Sequence, residues 1–341
     1  MSVHRQGVAG ATAAGSDAGT ANERYGITEA ESLWLALYGR PAIASKIASE
    51  LDAVFCMSEP SGVDYLLRIG DNKDGIAHLQ AALLDHIAKV APDLPVPRVH
   101  RSLAGAPVVA LTSTHGDQFA AFATSFLPGK PLATVASSPA THSRIFALLA
   151  ELDRSMSGLA HPTAKRSLLW DVSHADRIMG LTSAIPSPAL RELVEHTIAD
   201  WCADAAPALS GLRRQIIHND FNPSNLLVSD DGAITGIIDF GDVIEAPLIC
   251  DLATAVAYQE PKDGFDALIA AAAKAYSSNH PLTREEVAIL PVLVRARAAM
   301  VVTITHWRAT QNPGNRDYLL RNAPLASRLL EAAAHSSGGA L

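Results

Sequence analysis

The chain has 341 residues, 48% of them hydrophobic, which is enough for one large domain or two ordinary domains with apolar cores. Its formal net charge of -8 and the lack of a clustered basic tract exclude a protein that reads the phosphate backbone of nucleic acid. The three cysteines, Cys56, Cys202 and Cys250, lack metal-type spacing and indicate a reducing, cytoplasmic setting.

The first 24 residues are rich in Ala, Gly, Ser and Thr and contain no apolar block. This composition predicts a disordered tail, and it does not fit a secretory signal, which needs a continuous apolar centre. From Tyr25 to Leu37 the apolar spacing predicts a short helix, and Thr28 followed by Glu31 forms a candidate capping box.

Three extended runs follow, at Pro41–Ser49, Ala53–Met57 and Asp64–Ile69, and an amphipathic pattern then covers Gly75–Val90. These runs predict an antiparallel meander followed by a helix. Two further runs, at Val108–Leu111 and Phe119–Phe126, predict additional strands, and the Pro-Gly pair after Leu127 is a strong breaker. We therefore predict a first lobe over residues 25–127 and a second over residues 128–341.

Beyond this boundary the patterns are mainly helical. The apolar region Val287–Ile304 is interrupted by Pro291, Arg295 and Arg297, so it predicts a buried helix and no membrane span. The other predicted helices are Ser143–Leu159, Leu190–Ala203, Leu252–Tyr258, Phe265–Tyr276, one starting at Thr283 with Glu286 in a capping box, and Arg316–Ala334.

The most informative stretch contains two motifs, His-Asn-Asp-Phe-Asn-Pro-Ser-Asn at 218–225 and Asp-Phe-Gly-Asp at 239–242. Between them lie two short apolar runs separated by Ser-Asp-Asp-Gly, a sequence that predicts a β-hairpin. The hairpin would bring Asn225, at the start of its first strand, and Asp239, at the end of its second, to the same end.

Two hard oxygen donors that leave other coordination positions open suit Mg²⁺ on nucleotide phosphates. Asn225 and Asp239 are therefore the candidate metal ligands, and Asp220 remains to accept or orient the proton of an attacking hydroxyl. Phosphoryl transfer requires mainly positioning and charge neutralisation, and this set supplies both.

The motifs differ from those of protein kinases, because they read His-Asn-Asp and no Ala-Pro-Glu segment follows. They are similar to those of the aminoglycoside phosphotransferase and choline kinase superfamily. The resemblance implies an α+β, two-lobed protein-kinase-like fold, with a small antiparallel-sheet N-lobe that covers the nucleotide and a larger, mainly helical C-lobe. It also implies that His218 buttresses the catalytic loop and that Asp251 supports it.

In the kinase template a cation on the third strand contacts the nucleotide phosphates and pairs with an acid on the helix. The corresponding residues here are Arg68 and Gln80, and Gln80 is either its hydrogen-bonding partner or an ordinary surface residue of the helix. The glycine-free segment that starts at Ser49 resembles the Ser-Glu-x-Asp-x-Asn-Phe segment of the hydroxylysine-kinase-like branch, with Val54 in place of Asn. Ser49 either contacts phosphate or caps a turn.

By the same resemblance, the chain from Ser125 to Leu127 is an interlobe hinge that faces the purine base. The His-Pro, Arg and Trp-Asp order around Trp170 and Asp171 is similar to that of the hydroxylysine-kinase-like branch, which makes both residues candidates for the acceptor site. Asp171 is equally a candidate helix cap. Arg297 is a candidate for binding a substrate carboxylate, or it forms a structural ion pair.

The sequence thus predicts a Mg²⁺-dependent small-molecule kinase that uses ATP or GTP. By resemblance the acceptor is a hydroxy amino acid, as for hydroxylysine kinase. Aminoglycoside, homoserine and choline or ethanolamine acceptors remain alternatives, as does a nucleotide-binding module that has lost turnover. The expected partners are the nucleotide and the hydroxylated acceptor, with no nucleic acid and no membrane, and the sequence leaves the oligomeric state open.

Overall fold

The computed structural model describes residues 20–49, 52–72, 74–113, 116–135 and 139–336, and the chain divides into two compact units. Unit 1 comprises Met1–Val135, His161–Lys165 and Ser224–Val243, and unit 2 comprises Ala136–Ala160, Arg166–Pro223 and Ile244–Leu341. Each unit is therefore built from separate stretches of the chain, and unit 1 contains the predicted hairpin. The lobe boundary after Leu127 stays a prediction.

The described residues form strands and helices that we number in chain order. The strands are β1 Ile43–Ile47, β2 Ala53–Ser58, β3 Asp64–Asp71, β4 Val99–His100, β5 Val108–Thr112, β6 Gln118–Ser125, β7 Lys130–Pro131, β8 Arg214–Ile217, β9 Leu226–Val228, β10 Ile234–Ile237 and β11 Ile244–Pro247. The α-helices are α1 Ala21–Arg24, α2 Ile27–Tyr38, α3 Ile76–Val90, α4 Pro139–Met156, α5 Pro188–Asp200, α6 Ala206–Leu209, α7 Ile249–Ala257, α8 Phe265–Ser277, α9 Arg284–Gln311, α10 Arg316–Leu320 and α11 Ala323–His335.

Unit 1 contains an antiparallel sheet in the order β1-β2-β3-β6-β4, with β5 paired to β6. Inward-facing side chains of its central strands, such as Phe55, Met57, Leu67 and Ile69, are fully buried and pack with Trp34 of α2. Their removal from water stabilises the sheet, by roughly 1.5 to 3 kcal/mol for each large apolar side chain. The predicted meander and the helix that follows it are confirmed.

The predicted hairpin is also confirmed, because β9 pairs with β10 and β7 adds to the other edge of β9. Its turn is closed by the Gly232 N–H, which donates to the Ser229 carbonyl, and Gly232 adopts a φ of 82° that favours glycine. The Ile237 N–H donates to the Pro95 carbonyl, which ties the hairpin to the rest of unit 1.

Unit 2 is mainly helical, with α9 at its centre and one two-stranded ladder between β8 and β11. Thr283 and Glu286 form the predicted capping box at the start of α9. Among the described residues, α9 is the one helix whose length and composition would allow it to cross a membrane. That is weak evidence, because 67% of its most apolar window is buried inside the protein, as in an ordinary core helix.

Two local predictions were wrong. The tail predicted for residues 1–24 extended too far, because Thr20 and Glu23 form a capping box on the one-turn helix α1; residues 1–19 lie outside the described part of the chain. The helix predicted within Tyr25–Leu37 forms as α2, but the predicted cap at Thr28 is wrong, because Gly26 is the N-cap, Glu29 accepts from its N–H, and Thr28 lies inside the first turn.

A third prediction, of one helix over Arg316–Ala334, was also wrong, because the chain forms the two helices α10 and α11 with a break at residues 321–322. Pro324 lies in the first turn of α11, where its missing N–H is tolerated, and it cannot continue a preceding helix.

Candidate active site

The strand cation of unit 1 is paired with an acid that immediately precedes the neighbouring strand β2. Nε of Arg68, on β3, lies 3.0 Å from Oδ2 of Asp52, and its Nη2 lies 3.9 Å from Oδ1 of Asp239. Burial raises the pKa of the Asp52 carboxyl, and the Arg68 charge opposes that rise. Arg68 therefore lies between two carboxylates.

Gln80 is not a residue of the helix surface, because it is only 3% exposed. A Cβ added to Gly241 would lie 3.9 Å from Nε2 of Gln80 and 3.8 Å from Nη1 of Arg68. The amide of Gln80 and the guanidinium of Arg68 thus share the space in front of the Asp-Phe-Gly segment. A neutral amide cannot form the ion pair that the kinase template places here.

Asn225 and Asp239 lie at the same end of the β9–β10 hairpin. The Ile238 N–H donates to the backbone carbonyl of Asn225, next to Asp239 in the chain. Asp239 has a φ of 63°, uncommon for a residue other than glycine, and its Oδ1 accepts from the Gly241 N–H at 3.3 Å. Such strain in a non-glycine residue occurs often at functional sites.

These donors fit a divalent cation that takes its remaining ligands from phosphate and water. One carboxylate and one amide oxygen are hard donors; the Asp239 side chain is 15% exposed, whereas Asn225 is buried. No group of three or more His, Cys, Asp or Glu side chains that could hold a metal exists among the residues the structure describes.

The residues predicted to contact the nucleotide base or phosphates have different surroundings. The Ser125 N–H donates to the Arg98 carbonyl, and its hydroxyl accepts from the Arg98 N–H at 2.9 Å, so both groups are engaged at the edge of the sheet. The Leu127 side chain packs beside Gly236, where an added Cβ would lie 3.1 Å from its Cδ1. Ser49 is half-buried, and its carbonyl accepts from Nδ2 of Asn22.

In unit 2, Asp251 binds the backbone of the His-Asn-Asp loop. Its two carboxylate oxygens accept from the N–H groups of His218 and Asn219, at 2.7 and 2.8 Å. Burial raises the pKa of the Asp251 carboxyl, although the electrostatic influence of the His218 ring and these hydrogen bonds oppose the rise. Nδ1 of the buried His218 ring accepts from the Asp220 N–H at 3.3 Å, and the ring packs edge-on against Phe221.

The Asp220 carboxylate is oriented by two neighbours. Its Oδ1 accepts from Nδ2 of Asn222 at 2.8 Å and lies 3.8 Å from Nη2 of Arg297. Arg297 is 1% exposed and also donates to the carbonyls of Trp170 and Asn219. Asn219 has a φ of 64°, and no hydrogen-bond partner is found for its buried side-chain amide within the described part of the chain.

Trp170 and Asp171 have distinct local roles. The Arg297 guanidinium carbon lies 5.1 Å from the centre of the Trp170 ring, a cation–π distance. Asp171 caps the 3₁₀ segment Val172–Ala184, where its Oδ1 accepts from the Ser173 N–H, and its Oδ2 lies 2.7 Å from Nδ1 of His174. Unit 2 thus brings Asp220, Arg297 and Trp170 together, whereas the Asp171 carboxylate is engaged in its own turn.

A family model described as "Phosphotransferase enzyme family" matches residues 44–290, well over half of the chain. The chain belongs to that family. It is 27% identical to a hydroxylysine kinase of Mus musculus over 212 residues, which is 58% of this chain and 56% of the mouse protein. A hydroxylysine kinase of Xenopus laevis is 28% identical over 218 residues, with 58% of this chain and 57% of the frog protein covered.

The chain therefore spans little more than half the length of the curated relatives it matches. The fold is similar to that of a solved structure of amicoumacin kinase hAmiN in complex with AMP-PNP, Ca²⁺ and Ami. The TM-score is 0.64 at 15% sequence identity, with 90% of this chain and 94% of that chain covered. The predicted kinase-like fold, with an antiparallel sheet near the N-terminus and a largely helical C-terminal part, is confirmed.

Two residues of the site were missed from the sequence. Asp52 could have been found from the antiparallel pairing of β2 and β3. In this register the position of Asp52 lies diagonally across from Arg68. Asn222 gives no comparable signal, since an Asn before Pro in a loop usually indicates only a turn.

Proposed function

We propose that this protein is a divalent-metal-dependent phosphotransferase that moves the γ-phosphoryl group of ATP or GTP to a hydroxyl of a small polar metabolite. The observation that carries the proposal is the support of Asp220 within a chain of the phosphotransferase family. Asn222 and Arg297 orient its carboxylate, and Asp251 holds the backbone immediately before it. A base held in one orientation is what transfer to a hydroxyl requires.

In the proposed step, the oxygen of the acceptor hydroxyl forms a bond to the γ-phosphorus while Asp220 accepts the proton of that hydroxyl. The bond between that phosphorus and the bridging oxygen breaks, and the nucleoside diphosphate leaves with the electron pair. Arg297 is the structural support of this base in the proposal: at 1% exposure, and already bonded to the Trp170 and Asn219 carbonyls, it is poorly suited to receive a substrate carboxylate.

On the donor side, Asn225 and Asp239 would hold Mg²⁺, which neutralises charge on the phosphate oxygens when it is bound. Arg68 would contact the phosphates through its Nη groups, since Nε is paired with Asp52. Leu127 is the better-placed candidate for the purine, because its side chain packs over Gly236, whereas the N–H and hydroxyl of Ser125 are both engaged by Arg98. Ser49 remains a candidate for phosphate contact.

The acceptor that we propose is a hydroxy amino acid. The curated relatives named hydroxylysine kinase support it, as do the Ser-Glu-x-Asp and Trp-Asp segments at 49–52 and 170–171. Aminoglycosides, homoserine and choline or ethanolamine are the alternatives to include in the same assay. The free thiols of all three cysteines support a reducing, cytoplasmic location.

The test is nucleoside diphosphate release from Mg·ATP and Mg·GTP in the presence of a panel of hydroxylated amino acids and amines. We expect acceptor-dependent release, lowered by about 10² to 10⁴ in Asp220→Ala, because the base is removed. Asp263→Ala, which removes an exposed carboxylate of the same unit, is the matched control and should leave the rate unchanged. Equal rates for wild type and Asp220→Ala would refute the role of Asp220.

A second candidate function is nucleotide binding without turnover. It is favoured by the neutral, buried Gln80 beside the strand cation and by the buried Val54 paired with Arg68 in the sheet. Tight nucleotide binding, with no acceptor of the panel increasing the release of nucleoside diphosphate, would support a binding module and exclude the kinase.

A further inference from the structure

Helix α3 offers Arg68 a neutral neighbour, Gln80, whose amide lies with the Arg68 guanidinium in front of Gly241. The one acid of this helix, Asp85, is paired with Arg101. The acid beside Arg68 instead comes from the start of β2. We propose that Asp52 is the positioning residue that holds Arg68 for nucleotide binding, in place of a helix carboxylate. The proposal rests on the proposed function, since it gives Arg68 a nucleotide to bind.

The register of β2 and β3 puts the two side chains on one face of the sheet. Ala53 pairs with Ile69 and Val54 with Arg68, so Asp52 lies diagonally across from Arg68. Oδ2 of Asp52 lies 3.0 Å from Nε of Arg68, with side-chain exposures of 22% and 23%. This is a partly buried pair on two paired strands, where the ordering of the long arginine side chain costs less than for an exposed pair.

Gly70 makes this pair possible. A Cβ at this position would lie 2.6 Å from Oδ1 of Asp52, closer than a Cβ atom packs against an oxygen, so the carboxylate would have to move away from its present position. The strand position opposite Asp52 must therefore lack a side chain for the carboxylate to lie across it toward Arg68. A glycine inside a strand weakens the strand. At Gly70 this loss is accompanied by space for the Asp52–Arg68 ion pair.

The ion pair with Asp52 also affects the distance between Arg68 and its second acidic neighbour, Asp239. Nη2 of Arg68 lies 3.9 Å from Oδ1 of Asp239, a long ion-pair distance, whereas Nε is in direct contact with Asp52. Without Asp52 the nearest anion for the guanidinium would be Asp239, and closer pairing would engage the carboxylate that we assign to the metal. Asp52 thus anchors one edge of the guanidinium and leaves the Nη groups directed to the phosphates.

A double-mutant cycle on nucleotide binding tests this role, with Mg·ATP and Mg·GTP titrated calorimetrically into nucleotide-free protein. We expect Asp52→Ala to weaken binding about tenfold in the wild-type background and less than about twofold in the Arg68→Ala background, because Asp52 acts through Arg68. Asp64→Ala, which removes an exposed carboxylate from the other end of β3, is the matched control and should leave binding unchanged.

Two further variants separate positioning from general destabilisation. Gln80→Glu should restore binding to Asp52→Ala at least in part, because it puts a carboxylate beside the same point in front of Gly241 that the Arg68 guanidinium approaches. Gly70→Ala should reproduce the loss with every charge retained, and it takes the place of Asp52→Ala in the cycle should that variant lack a cooperative melting transition. An equal loss in both Arg68 backgrounds, or no loss in either, overturns the proposal.

The two proposals fail in different ways. If wild type binds nucleotide but transfers phosphate to no acceptor, the proposed kinase activity is refuted. The double-mutant cycle can still be measured in that case, because it depends only on nucleotide binding. Transfer with no coupling between Asp52 and Arg68 refutes only the positioning role. No binding of either nucleotide by wild type refutes both.

Discussion

Asp153 and Asp251 form a carboxyl pair in the interior of unit 2. We expect this pair to make the unfolding free energy of the protein depend on pH. Both side chains are fully buried, each influences the pKa of the other, and the Tyr276 hydroxyl donates to Oδ2 of Asp153 at 2.6 Å. Burial, with the nearby Asp251 charge as the next cause, raises the pKa of Asp153 well above its ordinary value. Asp251 accepts from two backbone N–H groups, which favour its charged form, so we expect Asp153 to be the protonated member of the pair.

Asp153→Asn removes the need for that proton. The native state keeps a proton that the unfolded chain releases near pH 4, so the unfolding free energy of the wild type falls as pH rises from there to the raised pKa. The slope of that loss is at most about 1.4 kcal/mol per pH unit. The amide that Asp153→Asn introduces can donate to Asp251 and accept from Tyr276, and it does not titrate. We therefore expect the unfolding free energy of the variant to rise relative to wild type by up to about 1.4 kcal/mol for each pH unit.

The measurement is urea unfolding followed by circular dichroism at pH 5, 6, 7 and 8. The difference in unfolding free energy between Asp153→Asn and wild type should increase with pH, whereas Asp263→Asn, at an exposed position of the same unit, should give a flat difference. Parallel pH profiles for Asp153→Asn and wild type would show that Asp153 is ionised in the folded protein and refute this reasoning.

Two further predictions concern α9. Arg297→Met leaves the carbonyls of Trp170 and Asn219 without their buried donor and should lower the unfolding free energy by about 3 to 5 kcal/mol; a loss below about 1 kcal/mol in urea unfolding would contradict this. Thr283→Ala removes the cap that accepts from the Glu286 N–H and should cost about 1 kcal/mol, seen as a lower melting temperature. Thr283→Ser keeps the hydroxyl, so an equal loss in both variants would exclude the cap as the cause.

Elements whose signals are local could be predicted from the sequence. The hairpin follows from Asp-Gly between two β-rich runs, and the start of α9 follows from Thr283 and Glu286, because a turn or a cap is decided by residues within about four positions. The placement of Asn225 and Asp239 at one end of the hairpin follows from the same turn. The break between α10 and α11 was missed, although Pro324 is a local signal for it.

The partners of the buried charges could not be predicted in this way. Gln80 was left open between a partner of Arg68 and a surface residue, and Asp52 was one acid in a loop, because neither sequence neighbourhood shows what faces the side chain. For Arg297 the sequence favoured a structural ion pair over binding a substrate carboxylate, but it could not identify the contacts with the carbonyls of Trp170 and Asn219.

The sequence by itself determined the order of the elements, the hairpin and the family motifs, since these depend on short-range spacing of residue types. Only the tertiary structure decided which carboxylate meets Arg68, which groups hold Asp220, and that Asp153 is buried near Asp251, 98 positions away in the chain. The physical reason is that a charge removed from water takes its partner from whatever folding brings within about 4 Å, and that distance bears no relation to separation along the chain.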